Sequence, residues 1–531
     1  MAADLAVVDV RVRTLDPARP FASAIAVEDG VVVAVGDTAE VRAACDASTT
    51  VVSGSGWHLT PGLTDGHQHL LMGSQVAQGI NFDRVSTLDQ ARALLRAERE
   101  RLGPDAWITG FAFEYDALQG AEYHHDLIDE AAGPGPMLIH TLDMHTGFAN
   151  LVALRIAGVT GSRRFEDGSI IVCDADGAPT GELRELAAVH TVWDSAPEPT
   201  DEQRLGWVAK TIRAQNAVGL TGIHQMDGGI ETIEALRALE AAGLLNLRVR
   251  FHQWVDPSHE GEALADIIRR RDLSGSMWTA NSVKFMLDGV IDTGTAWLEE
   301  PDTHGDGNDP MWPDPQHFRR TIRQFHDAGF HIATHAIGDR AIREVLDAYA
   351  AAGGSAGRHR VEHIEAAPPE LVTRFQREEV SASMQPIHLR WLSPEMTDSW
   401  SSRLGMHRCS RAMPSGDIKA TGANVVLGSD WPVAPYDPRM GFFAAQRRYA
   451  PDVEDHRPIG TSRALTGLDT LTGYTANAAR VDGGDGGVLR AGAPADFVAW
   501  GDDIVEVAPE DVTDLPVHLT VVAGRITHQH D

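Results

Sequence analysis

Residues 67–69 read His-Gln-His within "LTPGLTDGHQHL", and residues 528–530 repeat the tripeptide within "GRITHQHD". On an extended backbone residues i and i+2 face the same side, so such a pair can offer two imidazoles to one metal ion. The tripeptide alone says little, since 24 His among 531 residues yield about one His-x-His by chance. Its context says more. Four further metal-competent side chains stand at or near the ends of apolar β-type runs: Lys284 in "SVKFMLDG", His335 in "FHIATHAIG", His363 in "RVEHIE" and Asp430 in "LGSDWP". With His67 and His69 they make four imidazoles, one carboxylate and one amine. Imidazole and carboxylate in that number suit zinc, and two ions would need a bridging ligand. The lysine is conspicuous because only Lys210, Lys284 and Lys419 stand among 45 basic residues. An unpaired ammonium is costly in an apolar run.

Rival sites fail on context. The "HRVEH" at 359–363 matches the H-x-x-E-H of inverted zinc proteases, which place both imidazoles on one helical face. Here the segment is β-prone and closed by Pro368 and Pro369, and on a strand His359 would sit about 13 Å from His363. The C-terminal His-Gln-His has no partner ligand nearby and is expected to fray. No G-x-S-x-G elbow follows a strand, which argues against a nucleophilic serine.

The elements that must position these residues follow from hydrophobic patterning. Strand-like runs occur at 62–69, 220–226, 247–255, 282–289, 330–338, 360–365, 379–386 and 424–432, with helical patterns such as "DEQRLGWVAKTIRAQNAVG" between most of them. Eight strands alternating with helices predict an α/β fold, a (β/α)8 TIM barrel, and all six candidate ligands then fall at its C-terminal mouth. About 150 residues separate the first two runs, too many for a loop, and they carry their own strand and helix patterns. An inserted lobe over about 74–205 is expected after barrel strand one. Both termini are rich in Val and Ile alternation with Asp-Gly turns, which predicts a small β-sandwich domain built from 1–58 and 481–531 around a barrel at 59–480.

Composition narrows the partners. A formal net charge of −31 repels phosphate, disfavouring nucleic acid and anionic membrane surfaces. No run of eighteen apolar residues and no basic-then-apolar N-terminal leader are present, and Cys45, Cys173 and Cys409 form neither a disulfide framework nor a zinc knuckle. The expectation is a cytoplasmic protein acting on a small molecule, without nucleic acid or membrane partners, with a homodimer as the candidate assembly.

Taken in order, "PGLTDGHQHL", "VKFMLDGVIDTGTA", "THAIGDRAI", "RVEHIE", "MQPIH" and "LGSDWP" resemble the amidohydrolase superfamily, in its amidohydrolase-3 branch typified by N-substituted formamide deformylase. The resemblance covers nearly the whole chain, including "DMHTGFANLVALRIAGV" in the expected lobe and "APADFVAW" near the end. It implies that His67, His69 and Asp430 bind one zinc, that His335 and His363 bind a second, and that Lys284 bridges them as a CO2-derived carbamate. Lysine is the residue for that role because its amine, once neutral, captures CO2, whereas arginine stays protonated. His145 and His388 would face the substrate. Two departures are Leu151 after Asn150, where the family usually has serine, and "GAPAD" in place of "GKxAD" at 492–496.

The implied reaction is hydrolysis of a non-peptide C–N bond by metal-bound hydroxide, with Asp430 as the catalytic proton carrier. A deaminase of cyclic imines or amidines on the same site is the competing reading, and a non-catalytic barrel protein is the competing class. Trp254, Trp391 and Trp431 follow strands three, seven and eight, and Trp297 lies in the loop after strand four. Their convergence would line an apolar pocket for an aromatic or bulky amide.

Overall fold

Short β-branched and apolar runs, each followed by an amphipathic helix, assemble into an eight-stranded parallel sheet. The computed structural model describes residues 2–165, 168–481, 483–484 and 486–530. The strands are β1 (Leu63–Gln68), β2 (Leu220–Gln225), β3 (Arg248–Val255), β4 (Trp278–Met286), β5 (His331–Ala336), β6 (His359–His363), β7 (Ser381–Met384) and β8 (Val425–Leu427), hydrogen-bonded in sequence order. Every residue of β2, β6 and β7 is buried, as expected for parallel strands covered on both faces. The first and last strands meet at their C-terminal ends. There Gln68 bridges Trp431, the Asp430 N–H donates to His67 O at 2.7 Å, and the His69 N–H donates to Trp431 O at 2.9 Å. Gly428 makes this seam possible, since a Cβ there would lie 2.6 Å from the His67 nitrogen.

Strand alternation separates chemistry from packing. On β4, Phe285 points outward against Phe318 and Phe325 of the helix Pro315–Asp327, with ring centroids 5.9 and 5.8 Å away. Its neighbour Lys284 therefore points inward. On β5, Thr334 points outward to the Tyr349 hydroxyl at 2.7 Å, leaving His335 inside. The covering helices start where their caps dictate: Thr200 and Gln203 form a capping box for Asp201–Ala217, and Asp314 with Pro315 opens Pro315–Asp327.

Two further sheets flank the barrel. One draws on both ends of the chain in the order Arg525–Gln529, Val517–Val522, Phe497–Trp500, His58–Pro61, Leu5–Arg13, Phe21–Glu28, Val31–Gly36, with Thr50–Ser53 pairing beside Leu5–Arg13. His58–Pro61 runs directly into β1. The C-terminal His-Gln-His was expected to fray, but Arg525–Gln529 is an edge strand with His528 opposite Thr520, and the His530 N–H donates to His518 O at 2.9 Å. Main-chain pairing with Val517–Val522 orders a tail whose polar side chains gave no sign of it. The second sheet has seven strands, all between residues 80 and 184 and so between β1 and β2, with its own core around Phe82, Ile108, Phe113 and Phe148. Among the described residues no helix is long and apolar enough to cross a membrane.

Candidate metal centre

The mouth of the barrel gathers the six residues. His67, His69, Lys284, His335, His363 and Asp430 all line one cavity of about 1080 Å3. Asp430 Oδ1 lies 3.4 Å from His67 Nε2 and 3.1 Å from His69 Nε2, and Asp430 Oδ2 lies 3.7 Å from His363 Nδ1. Lys284 Nζ is 3.3 Å from His67 Nε2, and the His363 ring centroid is 4.7 Å from that of His67 and 4.4 Å from that of His335.

Each imidazole has one nitrogen engaged by an outer acceptor. His67 Nδ1 donates to Glu362 Oε2 at 2.7 Å and His69 Nδ1 to Asp227 Oδ1 at 2.8 Å. His335 Nε2 donates to Gly289 O at 3.1 Å and His363 Nδ1 to Gln385 Oε1 at 3.0 Å. This is the support that metal-ligating histidines usually have, since it fixes ring orientation and leaves the other nitrogen for the ion. Two sets of ligand atoms, each within 4.8 Å of one another, share the Asp430 carboxylate: His67, His69 and Asp430, and His363, His388 and Asp430. The donor chemistry fits a divalent transition metal.

Electrostatics favour ligation. Burial, then the nearby Lys284 charge, pushes the His67 imidazole well below its usual range. Burial and neighbouring His145 do the same to His335, and burial and His335 to His363. These rings are therefore neutral, the state that binds metal. Burial would also depress His69, but the Asp227 carboxylate holds it at about 9, so metal binding there must displace a proton. Burial alone would raise the Asp430 carboxyl; His67 and His69 keep it well below the carboxylate range. Lys284, fully buried, is brought down to about 8 chiefly by burial.

Two site residues occupy strained backbone, His363 at φ +74° and Asp430 at φ +62°. For His363 the consequence is visible. Alternation on β6 turns Arg360 and Glu362 into the barrel, where Arg360 donates to His224 at 2.7 Å and Glu362 accepts from His67. Strict alternation would send His363 outward, and its left-handed backbone brings it back to the mouth.

The other expected contacts divide. His145 lines the cavity, its ring 5.5 Å from that of His335. His388 is not among the lining residues; it is buried, its Nε2 donates to Ser429 O at 3.3 Å, and it groups with His363 and Asp430. Of the four tryptophans, Trp254 alone reaches the cavity. Trp391 and Trp431 wall a separate cleft of about 360 Å3, and Trp297 packs under the Arg340 guanidinium at 5.4 Å. The convergent aromatic wall is thus corrected: loops leaving neighbouring strands diverge, and proximity to a strand end does not set a side chain's direction. The apolar wall comes instead from Met72, Met144, Leu186, Val189 and Trp193, all carried by the segment between β1 and β2. Asp227, Glu362, Gln385, Glu185 and Trp193 were not anticipated. Only Glu362 carried a sequence signal, its place two residues from Arg360 on an inward-facing strand row.

A parallel barrel with imidazoles and a carboxylate gathered at its C-terminal mouth defines a class, the (β/α)8 barrels built around a metal centre. Residues 50–528 match the amidohydrolase family, and the chain belongs to it. It is 28% identical to the protein LONG AFTER FAR-RED 3 of Arabidopsis thaliana, over 98% of this chain and 91% of that one. It is 25% identical to the N-substituted formamide deformylase of Arthrobacter pascens, over 99% and 98% of the two chains. Its fold is similar to the crystal structure of an uncharacterized metal-dependent hydrolase from Pyrococcus horikoshii, with a TM-score of 0.74, 22% identity, and 95% and 99% of the two chains covered.

Proposed function

We propose that this chain is a metal-dependent hydrolase of a non-peptide C–N bond, of the amide or N-substituted formamide type, in a small and partly apolar or aromatic substrate. The observation that carries this reading is the mouth itself, where four imidazoles, each held at one ring nitrogen by an outer acceptor, line one cavity with the Asp430 carboxylate and a buried lysine. His67, His69 and Asp430 would hold one zinc ion, His335 and His363 a second, and Lys284 as a carbamate would join them. When bound, the metal polarises the acyl oxygen and activates water at neutral pH. Asp430 takes the proton from the attacking water and returns it to the departing nitrogen. The Met- and Trp-lined wall receives the apolar substituent, and Trp254 closes the space around it. The chain then divides into a β-sandwich domain from 1–58 and 481–531, a catalytic barrel over 59–480, and a substrate-covering lobe at about 74–205. The relationship to the Arthrobacter pascens deformylase supports the choice of bond.

The test is a panel of aryl and alkyl amides and N-substituted formamides beside cyclic imines and amidines, assayed for released amine or ammonia. Turnover of the amides by zinc-loaded protein is expected. Turnover confined to ammonia-releasing heterocycles makes the protein a deaminase, and turnover of neither class refutes the hydrolase.

A further inference from the structure

His145 is oriented like the ligand histidines, yet it stands on the lobe rather than the barrel. It precedes the strand Thr146–Ala149, and its Nδ1 donates to Glu185 Oε2 at 2.7 Å. Among the described residues its Nε2 has no partner, and the ring lines the cavity beside His335. The loop beneath it is pinned. The His145 N–H and the Thr141 hydroxyl both donate to Asp143 Oδ1, at 2.9 and 2.7 Å, and the Tyr115 hydroxyl donates to Asp143 Oδ2 at 2.8 Å.

Glu185 is unusual in three ways. It sits at φ +65° and ψ 165°, a region that side-chain-bearing residues rarely adopt. It occupies the N-cap of the helix Leu186–Trp193 but makes no capping bond, giving its carboxylate to His145 instead. It is 2% exposed, and among the described residues its Oε1 has no hydrogen-bond partner. That oxygen lies against the loop after β4, where a Cβ added to Gly289 would be 2.3 Å from it. Gly289 O is the acceptor of His335 Nε2. One glycine thus meets the barrel ligand His335 through its carbonyl and the lobe's Glu185 through its bare Cα. A strained backbone, a forgone cap and an unsatisfied oxygen each cost stability, and such costs collect where geometry serves function.

We propose that Glu185 is a positioning residue: by holding His145 Nδ1 it turns Nε2 of this substrate-facing histidine toward the scissile amide group, and the lobe's hydrogen-bonding contact there depends on it. This rests on the hydrolase reading above. The lobe then completes the reacting end of the site in addition to walling the apolar end.

A double-mutant cycle tests it. Wild type, His145→Ala, Glu185→Ala, Glu185→Gln and His145→Ala/Glu185→Ala are compared for bound metal, thermal midpoint, hydrolysis of an aryl-substituted amide, and affinity for the phosphonamidate that mimics its tetrahedral adduct. His145→Ala should lose about 100-fold or more in kcat with little change in KM, at unchanged metal content. Glu185→Ala should lose about tenfold or more, and the double variant should be no worse than His145→Ala, because Glu185 acts only through that ring. Glu185→Gln, which keeps an acceptor oxygen, should recover part of the loss, and phosphonamidate affinity should fall in the same order. Multiplying losses, an effect confined to KM, or mimic affinity unchanged in His145→Ala would overturn the proposal. A wild type that binds the mimic, more weakly after His145→Ala, yet hydrolyses no amide would refute the hydrolase reading while leaving the contact standing. A wild type that neither binds nor hydrolyses overturns both.

Discussion

Replacing Lys284 by methionine should stabilise the protein when it is stripped of metal and CO2, while abolishing function when metal is supplied. Lys284 is 2% exposed, and its Nζ stands 3.3 Å from His67 Nε2. Burial, against the opposing pull of Glu362 and Asp430, brings its ammonium from an ordinary 10.5 down to about 8. At pH 7 that displacement corresponds to about 3 kcal/mol of unfavourable charge burial in the folded state. Methionine is of similar length, carries no charge and suits an apolar strand, so it removes the penalty at little packing cost. The sign with pH follows from proton binding. Below about 8 the lysine is protonated both folded and unfolded, and the penalty is fully present. Between about 8 and 10.5 the unfolded chain holds the proton more tightly than the folded one, so wild-type stability rises toward that of the variant. Denaturant unfolding of both proteins in chelator and CO2-free buffer, from pH 7 to about pH 10, should show an advantage for Lys284→Met of up to about 3 kcal/mol that shrinks above pH 8. A variant less stable than wild type at pH 7, or a difference that ignores pH, would refute the account of Lys284 as a desolvated amine. That amine is also what CO2 capture requires, so metal-supplied Lys284→Met should lose activity, and Lys284→Arg should not restore it.

Removing one ligand from each proposed ion, His67→Ala or His363→Ala, should abolish hydrolysis and lower bound metal in elemental analysis; full zinc and undiminished turnover in both would sink the assignment. Asp227→Asn and Glu362→Gln weaken the acceptors held by the outer nitrogens of His69 and His67, and should weaken metal binding by about 10–100-fold in competition with a chelating dye. Equal affinity in all three proteins would show those carboxylates to be idle. Trp193→Ala should raise KM for aromatic amides by about three- to tenfold, while Trp297→Ala, whose ring lies away from the cavity under Arg340, should leave it unchanged. The reverse pattern would restore the aromatic wall that strand-end proximity suggested.

What the sequence by itself determined lies in patterns of short range. Alternation and apolar runs marked eight strands, and the structure has strands at all eight places, in the expected parallel order. The residue types at their ends stated the chemistry, and a barrel has one mouth, so residues from β1, β4, β5, β6 and β8 meet there once the sheet closes. Only the tertiary structure decided the rest. Glu362 reaches His67 across 295 positions and Asp227 reaches His69 across 158, pairings with no periodicity to announce them. His363 faces the mouth because its backbone leaves the alternation that sequence reasoning assumes. The tryptophans scattered because a loop's direction is set by what it packs against, and the C-terminal His-Gln-His became a strand because a neighbouring edge was free to pair with it. Local physics assigns a residue to an element and often to a face. Which distant side chain completes its hydrogen bonds depends on chain closure and packing, where many weak contacts are satisfied together and no short segment of sequence carries the outcome.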